Sequence, residues 1–204
     1  ISKEEKLSLI YKKIDYLNVE EMNSLSTFSE SKANPNFTSN QMILTCIYTG
    51  ARLGEIQGLK WSDINFNFKT ISIQRAWNEQ KKCTQPTKNE SSKRIIRVNS
   101  TLISMFKNMK RRNDFVFTNQ YGTIPTSNAV NKQLQFLLKT LKIDRTGFHF
   151  YSLRHTHVAY LLYCGMDLYA ISKRLGHSEL ATTTRIYAYI IDEYRVRTDN
   201  EVEG

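Results

Sequence analysis

The sequence predicts an α+β domain, mainly α with a small antiparallel β-sheet. Three observations predict it. Apolar residues recur at helical spacing on both sides of the chain's centre; between residues 61 and 98 the period shortens toward two; and the helical runs break at glycines or polar turns. At 204 residues the chain is long enough to bury a substantial core as one large domain or two small ones. With 40% hydrophobic and 24% charged residues it is globular rather than disordered.

Residues 1–16 alternate in charge and read as a linker from a preceding domain. Opening on Ile1 rather than Met, the chain is expected to be a fragment or a processed product. Asn18 is a suitable N-cap, with Glu20 and Glu21 in the first turn of a short helix ending near Ser26. Ser29–Ser39 is polar, contains Pro35 and reads as a loop. From Asn40, the run QMILTCIYTGARLGEIQGL predicts a helix, a tight bend at Gly50 and a second helix starting near Arg52. Met42, Leu44, Cys46 and Ile47 are core candidates. Arg52 and Glu55, three apart, share a helix face; an exposed ion pair there would contribute little.

Thr70–Ala76 reads as a strand, and Thr84–Lys88 with Arg94–Val98 as a hairpin around the polar turn NESS, with Lys88 beside that turn. Ser100 opens a helix with the stripe Leu102, Ile103 and Phe106, and Ser127 opens another carrying Val130, Leu134, Leu137, Leu138 and Leu141. A helix from Tyr151 to about Cys164 stops at Gly165, and Leu168–Leu175 stops at Gly176. A last helix begins at Ser178 or Glu179 and runs through Thr184, leaving Tyr187 at or past its end. The segment 190–204 is charged and reads as a tail or docking arm.

The charge balance narrows function. Twenty-nine Lys and Arg against nineteen Asp and Glu give a net charge of +10, which points to an anionic partner. Nucleic acid is favoured over a membrane surface, since no basic amphipathic helix with a clean apolar face is evident and no apolar run approaches the roughly 18 residues of a span. Three scattered cysteines without a CxxC pair argue against a disulfide framework and for a reducing compartment. All four histidines (His149, His155, His157, His177) fall in one short stretch that also holds Arg154 and, shortly after it, Tyr187. His155 and His157, two apart on a helix, point to roughly opposite faces with no carboxylate or cysteine pattern beside them, so no metal is expected. Neither GxSxG nor a glycine-rich phosphate loop is present.

Metal-free cleavage of a phosphodiester would use these residue types. Two guanidinium groups, Arg52 and Arg154, match the planar array of non-bridging oxygens on which charge gathers. A phenol such as Tyr187 has an ordinary pKa of about 10, so as a nucleophile it requires either a cationic surround or a proton acceptor. The leaving oxygen needs a proton donor, a task open to Lys88. His177 could donate to a phosphate oxygen, steady the tyrosine or simply cap a helix end.

The segments TGARLGEIQGLKWSDI, PTKNESSKR, YSLRHTH and LGHSELATTTRIYAY, in that order, resemble the catalytic domain of a tyrosine recombinase, most similarly the integrases of Gram-positive phages and genomic islands. The resemblance spans roughly residues 17–194. It implies the tyrosine-recombinase catalytic fold, with the catalytic domain at 17–189 and a C-terminal tail at 190–204 exchanged between subunits. It implies that Arg52 and Arg154 are the catalytic arginines and Glu55 their supporting acid. Lys88 would be the general acid toward the 5′-oxygen, His177 the histidine following LG, and Tyr187 the nucleophile that forms a 3′-phosphotyrosyl link. One position departs from the usual HxxR: Tyr151 stands where the histidine would be, and it can hydrogen-bond but cannot serve as an imidazole base. His149, two residues earlier, is the other histidine near that place.

The resemblance further implies no metal or nucleotide cofactor, double-stranded DNA attachment sites as substrate, a homotetramer on DNA, and an accessory directionality factor among the partners. It places the protein in the cytoplasm of a bacterial host, nucleoid-associated when on DNA. Two alternatives share these residues: type IB topoisomerase-like relaxation, and a DNA-binding protein whose site has decayed.

Overall fold

The computed structural model describes residues 14–87, 90–188 and 190–191. Its helices are α1 (Val19–Ser31), α2 (Ser39–Thr49), α3 (Leu53–Gln57), α4 (Ser100–Asn108), α5 (Ser127–Thr140), α6 (Phe150–Tyr163), α7 (Leu168–Leu175) and α8 (180–188). The strands are β1 (Ile64–Asn65), β2 (Thr70–Ile73), β3 (Arg75–Asn78), β4 (Cys83–Pro86) and β5 (Arg94–Arg97). The chain is therefore mainly α with small antiparallel sheets, as the sequence predicts. None of the described helices is long and apolar enough to cross a membrane.

Local chemistry sets most boundaries. The Asn18 side chain accepts from the Glu21 N–H and the Glu21 carboxylate accepts from the Asn18 N–H, a reciprocal cap. That helix continues past the expected Ser26 to Ser31, because Leu25 and Ser29 still face the core. Asn99 and Thr126, each one residue before the serine read as the start, cap α4 and α5. α2 is buried on nearly every face, Met42, Leu44, Cys46 and Ile47 included, and lies at the centre of the helical layer. It ends at Gly50 in the left-handed region; a Cβ there would also come within 2.6 Å of the His157 ring, so the close approach of α2 and α6 requires glycine.

The strand pairing corrects the predicted hairpin. β5 pairs antiparallel with β2, which also pairs with β1, whereas β4 pairs with β3 in a separate two-stranded sheet. The run Thr70–Ala76 is likewise two strands, broken at Gln74. Alternating burial ties β2 to the core, while β3 packs its backbone on Gly54 and Gly58 of the α3 region. The turn closing β3 and β4 lies at residues 79–82, with the Asn78 side chain accepting from the Lys81 N–H and Lys82 at φ +49°. Lys88 and Asn89 lie outside the described residues.

Two apolar clusters form. The larger runs from Leu17 to Leu153 and joins α1–α6 with the three-stranded sheet; the smaller joins Val158, Leu161 and Leu162 of α6 to Ile171, Leu175, Tyr187, Ile190 and Ile191. Ile14 and Tyr16 pack on the smaller one, so the expected linker contributes to it before α1 begins. The boundary drawn after Tyr189 falls inside this cluster as well. Residues 1–13 and 192–204 lie outside the described residues.

Candidate active site

The site forms where α6 passes from one cluster to the other. Its first turn is fixed by His149, whose N–H donates to Ser152 Oγ, while its Nδ1 lies 3.1 Å from both the Gly147 carbonyl and Ser152 Oγ. His149 is thus occupied as a helix start. One turn further in, Arg154 is 0% exposed. It donates to the Gly50 carbonyl (2.5 Å) and the Leu175 carbonyl (2.8 Å), and it reaches His177 Nε2 at 3.2 Å. These contacts lock the guanidinium between the bend after α2 and the end of α7. Its Nε has no hydrogen-bond partner among the described residues. A buried donor without an acceptor is costly, and such a group commonly marks a place for a ligand.

Arg52 is the residue capping the start of α3, and its side chain is 34% exposed. Its guanidinium meets Glu55 at 2.9 Å, and the Glu55 carboxylate also accepts from the Arg52 backbone N–H. Glu55 is 3% exposed and receives a second arginine, Arg94, through both of its oxygens. Burial alone would raise the Glu55 carboxyl, but Arg94 and then Arg52 outweigh it and hold its pKa below the ordinary value. The pair read from spacing is therefore part of a three-membered network centred on the buried Glu55 and Arg94, with Arg52 at its exposed edge.

Arg94 is a site residue the sequence reading missed. Within β5 it shares the inward face with Ile96, while Ile95 and Arg97 point out. Its Nε donates to the Arg174 carbonyl at the end of α7, tying sheet, α3 and α7 together. The available signal was the two-residue period of RIIR, which sets Arg94 and Ile96 on one face. An open cavity of about 460 Å³ next to it is lined by Lys93, Arg94, Lys173, Arg174 and His177.

His177 follows Gly176, which sits in the left-handed region with Ser92 Cα only 3.0 Å from where a Cβ would project. Because arginine can only donate, the bond from Arg154 makes Nε2 an acceptor; Nδ1 then carries the proton and donates to Thr183 Oγ1 at 2.8 Å. Burial, followed by the nearby arginines, lowers the His177 pKa to about 4, so the ring is neutral at pH 7. Held this way it braces Arg154, and offering a proton to a phosphate oxygen would require rotation, the other tautomer or protonation.

Tyr187 lies within α8, not past its end, and is 0% exposed. Its hydroxyl is close enough to Arg154 for that charge to act on it, but burial dominates and pushes the phenol up to about 12. A cationic surround lowering the pKa is therefore not what this geometry supplies. The Tyr187 hydroxyl lies 3.3 Å from His155 Nδ1, with the two rings 5.5 Å apart and nearly perpendicular. Tyr151, at 41% exposure, packs edge-on against His155 at 4.9 Å and does not join the Arg154 contacts. His157 faces away, with Nδ1 2.7 Å from the Ile47 carbonyl and Nε2 accepting from Arg174 Nε.

The structure thus brings Arg52, Glu55, Arg154, His177 and Tyr187 together, adds Arg94 and His155, leaves Tyr151 at the rim, and does not describe Lys88. Fold and site together define a class: a mainly helical domain with an arginine-rich centre facing a buried phenol. Residues 15–193 match the model of the phage integrase family, and the chain belongs to that family. It is 32% identical over 188 residues to a XerC-like tyrosine recombinase of Caldanaerobacter subterraneus subsp. tengcongensis, covering 76% of this chain and 46% of that protein. It is 27% identical to the integrase of Staphylococcus phage L54a, covering 94% of this chain and 59% of the phage protein. The chain spans about half the length of the curated relatives it matches. Among solved structures, the Tn1549 transposon integrase in complex with transposon right end DNA superposes with a TM-score of 0.73 at 19% identity, over 95% of this chain and 67% of that one. XerA recombinase gives 0.73 at 21% identity, over 93% and 64%. At these identities the structural likeness is one of fold.

Proposed function

We propose that this chain is the catalytic part of a site-specific DNA recombinase that cuts and rejoins strands through a covalent 3′-phosphotyrosyl intermediate, for integration and excision of a mobile element. The observation that carries it is the buried Arg154 guanidinium, locked by two carbonyls and His177, with an Nε that has no partner among the described residues and the Tyr187 hydroxyl beside it.

In this reading a backbone phosphate of double-stranded DNA docks on Arg154 and on the exposed part of Arg52. Bidentate guanidinium contacts favour the pentavalent transition state because its non-bridging oxygens carry more charge than the ground state does. Glu55 and Arg94 hold Arg52 in its orientation. Tyr187 Oη attacks phosphorus, the bond to the 5′-oxygen breaks, and Lys88 protonates that oxygen. The phosphotyrosyl bond conserves the energy of the cleaved linkage, so religation needs no cofactor. Because Tyr187 is fully enclosed, DNA engagement must uncover its hydroxyl, with the His155 contact kept, before it can meet phosphorus. The chain acts within a homotetramer on DNA, preceded by DNA-binding domains joined through residues 1–16. The part of the tail after Ile191 is exchanged between subunits, and an accessory factor sets direction.

The test is capture on short nicked duplexes of randomised sequence, read as a denaturant-resistant protein–DNA adduct. The protein should form the adduct and Tyr187→Phe should abolish it while retaining DNA affinity. No adduct from the unaltered protein would favour a decayed DNA-binding domain, and an adduct from Tyr187→Phe would remove the nucleophile assignment.

A further inference from the structure

We propose that His155 is the group that takes the proton from Tyr187 when the phenol attacks, filling a role for which neither Tyr151 nor His149 is placed. The inference rests on the reading above, in which Tyr187 is the nucleophile.

Three observations support it independently of that family pattern. First, His155 Nδ1 is 3.3 Å from the Tyr187 hydroxyl, the two rings meeting edge to face at 67°. Second, the competing candidates are engaged elsewhere. His149 makes its contacts with Gly147 and Ser152 at the helix start, His157 with Ile47 and Arg174, and His177 with Arg154 and Thr183. Third, the phenol is buried and stays protonated near neutral pH, so attack needs an acceptor already in contact with it.

The electrostatics are compatible. The groups facing His155 are Arg154 and Tyr151 of its own helix, His149 at the helix start and Tyr187 of α8. Burial first, then Arg154 and His149, lower its pKa to about 4, which keeps the ring neutral and able to accept. A bound phosphate would offset the Arg154 charge and raise the basicity of His155 when it is needed. Tyr151 packs edge-on against the ring and holds its orientation. In the step itself, the Tyr187 Oη–phosphorus bond forms as the proton passes to His155 Nδ1. The phosphorus–O5′ bond breaks with its electron pair on O5′, which takes a proton from Lys88. In religation the 5′-hydroxyl oxygen bonds to phosphorus and gives its proton back to Lys88, while the phosphorus–Tyr187 bond breaks with its electron pair on Oη, which takes the proton from His155.

The experiment compares the unaltered chain with His155→Asn and Lys88→Ala on the randomised nicked duplexes, made with either oxygen or sulfur at the 5′-bridging position. Sulfur leaves without protonation, so it relieves a missing acid but not a missing base. His155→Asn keeps a hydrogen-bond acceptor near the Nδ1 position but cannot take a proton. It should lower the adduct rate by about 10²-fold or more with both substrates. Its residual rate should rise steadily with pH, as solvent base replaces the imidazole. Lys88→Ala should be restored by sulfur. DNA affinity and the thermal transition of His155→Asn, measured alongside, report folding. A folded His155→Asn that reacts at the unaltered rate, keeps the unaltered pH profile or is restored by sulfur would overturn the proposal. A His155→Asn that does not fold leaves the decision to the unaltered chain: a hydrogen/deuterium solvent isotope effect persisting with the sulfur substrate supports proton removal from Tyr187, and its absence overturns it. Absence of adduct from the unaltered chain would instead strike the recombinase reading.

Discussion

The two apolar clusters treat the reacting groups differently. The larger encloses α2 and supports the charges that would hold an anion: Arg52 and Arg94 are each tied to Glu55, and Arg94 continues into α7. The smaller encloses Tyr187 with residues of α6, α7 and the chain after α8. α6 belongs to both, with Leu153 in one and Val158 in the other, and Arg154 and His155 fall between them. The lesson is a division of labour. The anion-holding side is built by charge pairs in a deep core, whereas the side that encloses the phenol rests, among the described residues, on a smaller apolar cluster and is expected to open more readily.

The largest expected effect on stability comes from the network in the large cluster. Glu55→Ala leaves the buried Arg94 guanidinium without its carboxylate, beside the part-exposed Arg52, and should cost about 3 kcal/mol of stability, measured by denaturant unfolding. A loss below about 1 kcal/mol would mean that solvent screens the network as it does surface pairs. Arg154→Lys keeps the charge but cannot reach Gly50, Leu175 and His177 together, so the adduct rate should fall by about 10²–10³-fold, or ~3–4 kcal/mol. An unchanged rate would place the essential cation elsewhere.

A pair of cavity variants sharpens the comparison further. Leu134→Ala, in the large cluster, should speed amide exchange in α2 and leave residues 180–188 unchanged; Ile171→Ala, in the small one, should speed exchange in 180–188. Equal acceleration of both segments by Leu134→Ala would show one cooperative unit.

A pH dependence tests the burial of the histidines. His155 is half-buried and His157 and His177 are buried, with pKa values lowered to about 4, 3 and 4 from an ordinary 6.5. Below 6.5 the unfolded chain takes up protons that the folded chain refuses, so stability is full above that value and falls as pH drops toward 4. Glu55, whose pKa is lowered, extends the loss below the ordinary carboxylate range. The thermal midpoint should be lower at pH 5 than at pH 7, and equal midpoints would contradict burial of neutral imidazoles.

Much of this was legible from the sequence where local chemistry decides. The Asn18 cap, the bends at Gly50 and Gly176, the extent of α7 and the central position of α2 follow from residue type and period. Arg52, Arg154 and Tyr187 followed from motif order. Strand pairing did not, because β4 and β5 are both short, polar-rich runs whose partners β3 and β2 are selected by contacts with α3 and the core. Arg94 looked like one more charge in a basic stretch, since its partner Glu55 is 39 residues away. His155 was read only as a metal-ligand candidate because its partner lies 32 residues along the chain, at or past the expected end of its helix.

Peptide mapping of the trapped adduct tests the central claim most directly. After nuclease trimming and proteolysis, mass spectrometry should find the nucleotide 3′-phosphate on the α8 peptide, attached to Tyr187. Attachment to any other residue would contradict the account.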